Sequence, residues 1–236
     1  MNAPPRAEAV DIQGTAGALQ AVIEDPAPGT PPRAFIVVCH PHPLHGGTMT
    51  NKVVTTLARA AQELGAASIR FNFRGVGSSA GAFDEGRGET DDALAAVAFG
   101  RQRWPDAALW LAGFSFGGVV ALRASTTRGV GRVSRLVTIA PAMGRNFGSV
   151  RDVSVPGCPW LVVQGGADEV IDGDLVIDWA GQLDPPPQLV VLPGVGHFFH
   201  GQLGALQDAV VPFLQADLPK AKSPENTGFS GLCVRS

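Results

Sequence analysis

The sequence is poor in cysteine and carries no excess of basic charge. Its 236 residues include three cysteines, Cys39, Cys158 and Cys233, whose odd number and wide spacing form neither a disulfide framework nor a metal-ligand motif. The formal net charge is −3, so the chain has no basic field for nucleic acid and no polybasic segment for a membrane surface. We therefore expect neither a nucleic acid nor a membrane as partner.

Long apolar runs are also absent. No segment approaches the roughly 18 uninterrupted apolar residues that a membrane helix needs, and the first residues lack the apolar stretch of a signal peptide. The composition, with 45% hydrophobic and 17% charged residues, is that of an ordinary globular protein. These features favour a cytoplasmic protein with reduced thiols, and the length favours one sizeable domain.

Short apolar segments alternate along the chain with longer segments of helical periodicity. The short segments predict strands over residues 34–39, 67–72, 108–112, 136–140, 160–164 and 188–192. The longer ones predict helices over residues 51–64, 89–103, 119–125, 174–183 and 198–214. A further segment, 19–24, predicts an antiparallel edge strand. Continuous apolar strands separated by helices indicate an α/β fold, with a mostly parallel central sheet covered by helices on both faces.

The two ends of the chain differ from this pattern. The last residues, 219–236, are polar and rich in proline, lysine, serine and glycine, a composition that favours disorder. We therefore expect a flexible N-terminus over residues 1–14, a single domain over 15–218 and a disordered tail over 219–236.

One serine lies in a pattern typical of an activated nucleophile. The segment Gly113-Phe114-Ser115-Phe116-Gly117 fits G-x-S-x-G and stands directly after a predicted strand and before an apolar helical segment. A nucleophile elbow needs this strand–turn–helix context, because the tight turn requires small flanking residues and places the serine at a helix N-terminus. We therefore predict that Ser115 is the nucleophile.

A serine hydroxyl needs a base to remove its proton and a third group to hold that base. Only two of the five histidines, His197 and His200, follow the nucleophile. We favour His197 as the base, because it lies in a glycine-containing loop after the last predicted strand. The acid is expected in the loop after the preceding strand, where Asp168 is favoured and Glu169 and Asp172 remain alternatives.

Two backbone N–H groups are expected to bind the oxyanion that forms during acyl transfer. One belongs to Phe116, the residue after the nucleophile. The other should come from the loop after strand 34–39, where two prolines have no N–H to donate. His40, His42 and Leu44 remain, and His42 is the most central. We interpret the side chains of His40 and His42 as pocket-shaping or structural, and we expect no bound metal.

Several segments together resemble one known family. They are 40–43 (HPHP), 46–49 (GGTM), 71–78 (FNFRGVGS) and 113–118 (GFSFGG). The chain resembles the small bacterial α/β-hydrolases related to dienelactone hydrolases, over roughly residues 15–215. The resemblance implies an α/β-hydrolase fold and a Ser–Asp–His triad at Ser115, Asp168 and His197. Dienelactone hydrolases proper carry a cysteine nucleophile, whereas this chain has serine at that position.

The substrate is less constrained than the reaction type. Many lipases of this fold insert a helical lid before the acid-bearing strand, but here the interval 141–159 is short and broken by glycine and proline. We therefore expect no sizeable lid and an open site. The candidate pocket residues are His40, Phe114, Met143, Phe147 and Phe198. In the glycine-rich segment after strand 67–72, Arg74 is a candidate to hydrogen-bond that segment to the 40–43 loop.

These features predict a carboxylesterase that cleaves small or short-acyl esters through an acyl-enzyme, without a cofactor. A thioesterase, amidase or acyltransferase would use the same residues, and a non-catalytic binding protein could keep the same fold. The expected partner is a small-molecule ester. Whether the protein is a monomer or a homodimer is left open.

Overall fold

Thirteen regular elements of the fold lie within residues 6–26, 31–143 and 154–218, which are the residues that the computed structural model describes. The strands are β1 (Arg6–Gly14), β2 (Gly17–Asp25), β3 (Ala34–Cys39), β4 (Ala67–Phe71), β5 (Ala108–Phe114), β6 (Val133–Ile139), β7 (Trp160–Gly165) and β8 (Gln188–Leu192). The helices are α1 (Lys52–Glu63), α2 (Arg87–Arg103), α3 (Phe116–Thr126), α4 (Gly173–Gly181) and α5 (Leu203–Gln215).

The strands form one eight-stranded sheet in the order β1-β2-β4-β3-β5-β6-β7-β8. Strands β3 to β8 run parallel to one another, and β1 and β2 join them as an antiparallel pair, with β2 antiparallel to β4. All parallel strands therefore end at one edge of the sheet, which is where ligand and catalytic sites form in such folds.

Both faces of the sheet are covered by helices. One core cluster contains buried residues of α1 and α5, and the other contains buried residues of α2, α3 and α4. Strand β3 contributes Ala34, Ile36 and Val38 to the first cluster and Phe35, Val37 and Cys39 to the second. Because alternate residues face two different helical layers, every position in this strand is apolar, as predicted for a doubly covered parallel sheet.

The first strand corrects the prediction of a flexible N-terminus over residues 1–14. Residues 6–14 form β1, which pairs along its whole length with β2 through a tight turn at Gly14 and Gly17. Ile12 is buried in the core, but most other side chains of β1 are exposed. An edge strand with one buried side chain has little apolar signal in its sequence. The antiparallel strand predicted over 19–24 is β2, which is the second strand from the edge because β1 covers it.

The last helix begins later than predicted. Helix α5 starts at Leu203, whereas the apolar spacing predicted a start at residue 198. Phe199 and Gly201 have φ values of 52° and 68°, in the left-handed region, and this conformation keeps the segment out of a helix. The segment before α5 is therefore a loop that carries part of the candidate site.

The connection between β6 and β7 is too short for a sizeable lid domain. Its described parts, 140–143 and 154–159, contain no helix. Phe147, which we predicted as a pocket residue, lies outside the described residues, as does the tail predicted over 219–236. Over the described ranges, no helix has the length and apolar character needed to span a membrane.

Candidate active site

Ser115 lies in the turn between β5 and α3, in a strained backbone conformation. Its φ is 55° and its ψ is −117°, values that non-glycine residues rarely adopt and that recur at functional sites. A Cβ on Gly113 would lie 2.0 Å from the Gly117 carbonyl oxygen, and one on Gly117 would lie 2.3 Å from the Cys39 carbonyl oxygen. Both positions therefore require glycine, because backbone atoms cannot move aside. The predicted elbow is present in the structure.

His197 lies close to the serine hydroxyl. The loop after β8 places His197 Nε2 at 3.1 Å from Ser115 Oγ. The His197 ring is almost wholly buried and packs on Phe114 beneath it, with 5.0 Å between ring centroids. This packing limits the movement of the imidazole, whose Nε2 faces the serine hydroxyl.

Asp168 binds the other side of the imidazole. Its Oδ2 lies 2.8 Å from His197 Nδ1, and its Oδ1 accepts the backbone N–H groups of Val170 at 2.9 Å and Ile171 at 2.7 Å. Burial opposes ionisation of Asp168, but the hydrogen bonds from His197, Ile171 and Val170 outweigh it and lower the pKa of Asp168 below its ordinary value. An ionised carboxylate only accepts, so Nδ1 of His197 carries the proton and Nε2 is left to accept from the serine.

The alternatives for the base and the acid have other positions. Glu169 Oε2 accepts the backbone N–H of His197 at 3.1 Å. Asp172 caps α4, where its side chain accepts from Asp174 and Leu175. His200 is exposed, and its ring packs against Phe198. The structure thus brings Ser115, His197 and Asp168 together, and it shows a contact of Glu169 that sequence reasoning missed.

The loop after β3 lies against the residue that follows the nucleophile. Phe116 is the first residue of α3, and its ring lies 5.0 Å from that of His42. His42 precedes a short 3₁₀ turn, Pro43–His45, and its Nδ1 accepts the backbone N–H of Leu44 at 3.2 Å. Because Leu44 uses its N–H in this bond, it is the weakest of the three candidates for the second oxyanion donor.

Of our two interpretations of the His40 side chain, pocket-shaping and structural, the structure corrects the first and agrees with the second. His40 is fully buried, with Nε2 accepting the backbone N–H of Phe73 at 3.0 Å and Nδ1 at 2.6 Å from the Pro41 carbonyl oxygen. Nδ1 therefore carries the proton. Burial lowers the pKa of His40 to about 4, despite the opposing bond to Pro41. The imidazole is a neutral internal connection between two loops.

Arg74 does not form the connection that we considered for it. Its guanidinium pairs with the buried Asp92 of α2, at 2.8 Å from Oδ1 and 3.1 Å from Oδ2, and also reaches Thr15. The backbone N–H of Phe73, bonded to His40, joins the two loops instead. Arg74 attaches its own loop to α2.

The other predicted pocket residues divide into buried and exposed ones. Phe114 is fully buried beneath His197, and Met143 is 5% exposed and packs in the core, so neither lines an open cleft. Phe198 is 44% exposed. Its ring packs edge-to-face against the ring of His197, with 5.1 Å between the two centroids. Of the predicted pocket residues that the structure describes, Phe198 is therefore the one that is exposed to solvent.

No metal centre is evident in the described part of the chain: no three histidine, cysteine or acidic side chains converge there as ligands would. His42 and His45 do pack together, with ring centroids 4.6 Å apart, but no third ligand-type side chain completes a group with them in the described ranges.

The sheet, the elbow and the serine–histidine contact define the class of α/β serine hydrolases. The family model Hydrolase_4, described as "Serine aminopeptidase, S33", matches residues 30–155, and the chain belongs to this family. An uncharacterised protein of Rickettsia prowazekii, RP471, is 32% identical over 80% of this chain and 82% of its own length.

Solved structures show the same relationship. XC6422 from Xanthomonas campestris, an α/β serine hydrolase without a lid, is 42% identical with a TM-score of 0.84, over 94% of this chain and 99% of that one. An α/β serine hydrolase homologue from Coxiella burnetii is 41% identical with a TM-score of 0.80, over 88% and 97% of the two chains. The resemblance drawn from the sequence, and the fold it implied, are confirmed.

Proposed function

We propose that the protein is a carboxylesterase that cleaves small or short-acyl esters through an acyl-enzyme on Ser115. The observation that carries the proposal is the continuous hydrogen-bonded chain from Ser115 Oγ through His197 to Asp168, with distances of 3.1 and 2.8 Å. In this series of hydrogen bonds the base is within reach of the nucleophile's proton, and a buried carboxylate sets the tautomer of the base. These are the two requirements for activating a serine hydroxyl.

The proposed reaction has two halves. Ser115 Oγ attacks the ester carbonyl carbon while His197 Nε2 takes the hydroxyl proton. The imidazolium, stabilised by Asp168, then gives that proton to the departing alkoxide, and the acyl group remains as a serine ester. Water, deprotonated by His197, attacks this ester, and the proton returns to Ser115 as the acid is released. We assign the N–H groups of Phe116 and His42 to the oxyanion, because Phe116 follows the nucleophile and the ring of His42 lies against that of Phe116.

The size of the substrate is inferred from what surrounds the serine. In the described part of the β6–β7 connection no helix covers the carboxyl edge of the sheet, and Phe198, beside His197, is 44% exposed. An open site offers little apolar surface for a long acyl chain, and binding energy for a ligand grows with the surface it buries. Short acyl groups should therefore be turned over best.

An amidase is the second candidate, because the description of the matching family names an aminopeptidase. The same residues could also act on thioesters or transfer an acyl group. A non-catalytic binding protein is disfavoured by the strain at Ser115, since a φ of 55° is costly and a binding surface does not need it.

The decisive experiment combines covalent labelling with a substrate panel. A fluorophosphonate probe should label the wild-type protein, and Ser115→Ala should abolish the labelling and lower ester turnover by several orders of magnitude. Ser125→Ala is the matched control, because Ser125 lies in α3 and its hydroxyl donates to the Leu122 carbonyl oxygen of the same helix. Labelling that persists in Ser115→Ala would overturn the assignment of the nucleophile.

The panel distinguishes the bond that is cleaved. It comprises p-nitrophenyl esters of increasing acyl length, acyl-CoA thioesters and aminoacyl p-nitroanilides. The proposal expects the highest kcat/KM on short esters. A preference for the anilides or the thioesters would replace the carboxylesterase assignment with an amidase or a thioesterase.

A further inference from the structure

Strand β7 is apolar from Trp160 to Val163, and the next residue, at the end near the candidate site, carries a buried amide. Gln164 is fully buried, and its Nε2 donates to Asp168 Oδ2 at 2.9 Å. The same Nε2 lies 3.4 Å from the Gly165 carbonyl oxygen. The proposed mechanism assigns no part to this side chain.

The bond from Gln164 goes to the oxygen that also binds the base. Asp168 Oδ2 accepts from His197 Nδ1 at 2.8 Å and from Gln164 Nε2 at 2.9 Å, while Oδ1 accepts two backbone N–H groups. Each carboxylate oxygen has two lone pairs in its plane, so four donors occupy all four positions. With Gln164 in place, the carboxylate has no vacant position toward which it could rotate.

The other end of the amide is not satisfied. Gln164 Oε1 is buried and makes no hydrogen bond within the described residues. The amide cannot be reversed to relieve this, because a carbonyl oxygen would then face the carboxylate of Asp168. A buried acceptor without a partner lowers stability, whereas an apolar side chain of the same shape would not. The bond to Asp168 is therefore what distinguishes the amide from an apolar side chain of the same shape.

We propose that Gln164 is a positioning residue, which fixes Asp168 Oδ2 against His197 and limits how strongly the carboxylate polarises the imidazole. The inference rests on the proposed function, in which Asp168 and His197 act on Ser115. Gln164 does not touch the substrate; it acts through Asp168.

Two measurable consequences follow from removing the amide. Asp168 Oδ2 gains freedom to move, so the base is held less well, and kcat should fall about 10- to 100-fold with KM within about twofold. In the wild-type protein the hydrogen bond from Gln164 draws negative charge from Asp168 Oδ2. Without that bond Oδ2 retains this charge and stabilises the imidazolium more strongly. The acidic limb of the pH profile of kcat/KM, which reports the base of the free enzyme, should move upward by about half a pH unit or more.

The test compares Gln164→Met with the wild-type protein. Methionine has a similar length and no amide, so it removes the donor and the unpaired acceptor together. Thr138→Val is the matched control: Thr138 is buried on the neighbouring strand β6, and its hydroxyl accepts from Trp160 Nε1 at 2.9 Å. We expect Gln164→Met to stay folded, as its unfolding midpoint in urea would show, because the lost bond to Asp168 and the lost unpaired acceptor oppose each other. Thr138→Val should leave the pH profile unchanged.

A second variant keeps the proposal testable if Gln164→Met does not fold. Gln164→Asn keeps a buried amide, but its shorter side chain cannot reach Asp168, so it should show the same loss of kcat and the same pH shift. If both variants unfold, or if kcat falls with no change in the pH profile, the amide is merely structural and the proposal is wrong.

A readout that needs no activity separates this proposal from the proposed function. Nuclear magnetic resonance titration of the imidazole Cε1–H signals, with His197 identified by its loss in His197→Asn, gives the pKa of that ring directly. A higher pKa of His197 in Gln164→Met supports the positioning role even if no ester is ever hydrolysed. An unchanged titration of His197 overturns it, even if the wild-type protein proves to be an efficient esterase.

Discussion

Glu169 Oε2 accepts the backbone N–H of His197 at 3.1 Å. Its neighbour in the chain, Asp168, binds the ring of the same histidine. Two consecutive acidic residues after β7 thus hold the main chain and the side chain of His197 together. Gly196 fits the arrangement, since a Cβ there would lie 2.7 Å from Glu169 Oε2. The loop after β8 is therefore anchored to the loop after β7 through both acidic residues, and the Ala167 N–H adds a bond to the Val195 carbonyl oxygen at 2.9 Å.

This anchor predicts different effects for two substitutions of Glu169. Glu169→Gln keeps an acceptor for the N–H of His197 and should retain activity within about twofold. Glu169→Ala removes the acceptor, and the loosened base should lower kcat about 3- to 10-fold, because small misplacements of a catalytic group are costly. Ester kinetics on both variants check this. Equal losses in the two would show that charge, and not the anchor, matters.

The chain order of Ser115, Asp168 and His197 was predictable because the chemistry and the fold constrain it together. Each residue follows a strand of the parallel sheet, and the carboxyl ends of those strands meet at one edge. To predict these three residues from the sequence, it was therefore enough to locate the strands and to find three residue types in a known order. The spacing within each loop was open, and the structure selects Asp168 for the ring of His197 and Glu169 for its backbone.

Other features depend on contacts between distant parts of the chain. The His40 side chain was interpreted as pocket-shaping or structural, and only the bond of its Nε2 to the backbone N–H of Phe73 decides between the two. Strand β1 was missed because an exposed edge has little apolar periodicity. The partner of Arg74 is Asp92, in a helix whose packing no local pattern reveals. Pairings of this kind follow from the tertiary structure and not from spacing.

The burial of His40 predicts a pH dependence of stability. Its pKa falls from 6.5 to about 4 in the folded protein, so between these values the unfolded chain binds a proton that the folded chain does not. Stability should therefore decline as the pH falls from about 6.5 to about 4, by up to about 3 kcal/mol. Urea unfolding across this range measures the decline.

Two variants test whether His40 is the source. His40→Gln removes the titrating group and should flatten the dependence between pH 4 and 6.5, although its stability at neutral pH will be lower. His200→Gln replaces an exposed histidine and should leave the slope as in the wild-type protein. A slope that survives in His40→Gln would assign the effect to another group.

The tight approach of α3 to β3 predicts that Gly117 cannot be replaced. In Gly117→Ala the new Cβ would meet the Cys39 carbonyl oxygen at 2.3 Å, and relief would require α3 to move away from the sheet. We expect a loss of about 3 kcal/mol or more, with loss of probe labelling. Gly204→Ala is the control, because a Cβ at that position in α5 would have no described atom outside its own helix within 4 Å. It should stabilise the protein by about 0.5–1 kcal/mol.

The ion pair between Arg74 and Asp92 makes a further prediction. Asp92 is fully buried and Arg74 is 10% exposed, so removing one partner leaves the other charge unpaired in the interior. Asp92→Ala should cost about 3–5 kcal/mol in urea unfolding, whereas Asp91→Ala, at the exposed neighbouring position, should cost less than about 0.5 kcal/mol. Replacing both partners by apolar residues, as Arg74→Met with Asp92→Leu, should recover most of the loss, since no charge then remains buried. If the double variant is no more stable than Asp92→Ala, the backbone N–H of Arg74, which donates to Asp92 Oδ2 at 2.9 Å, is the more important partner.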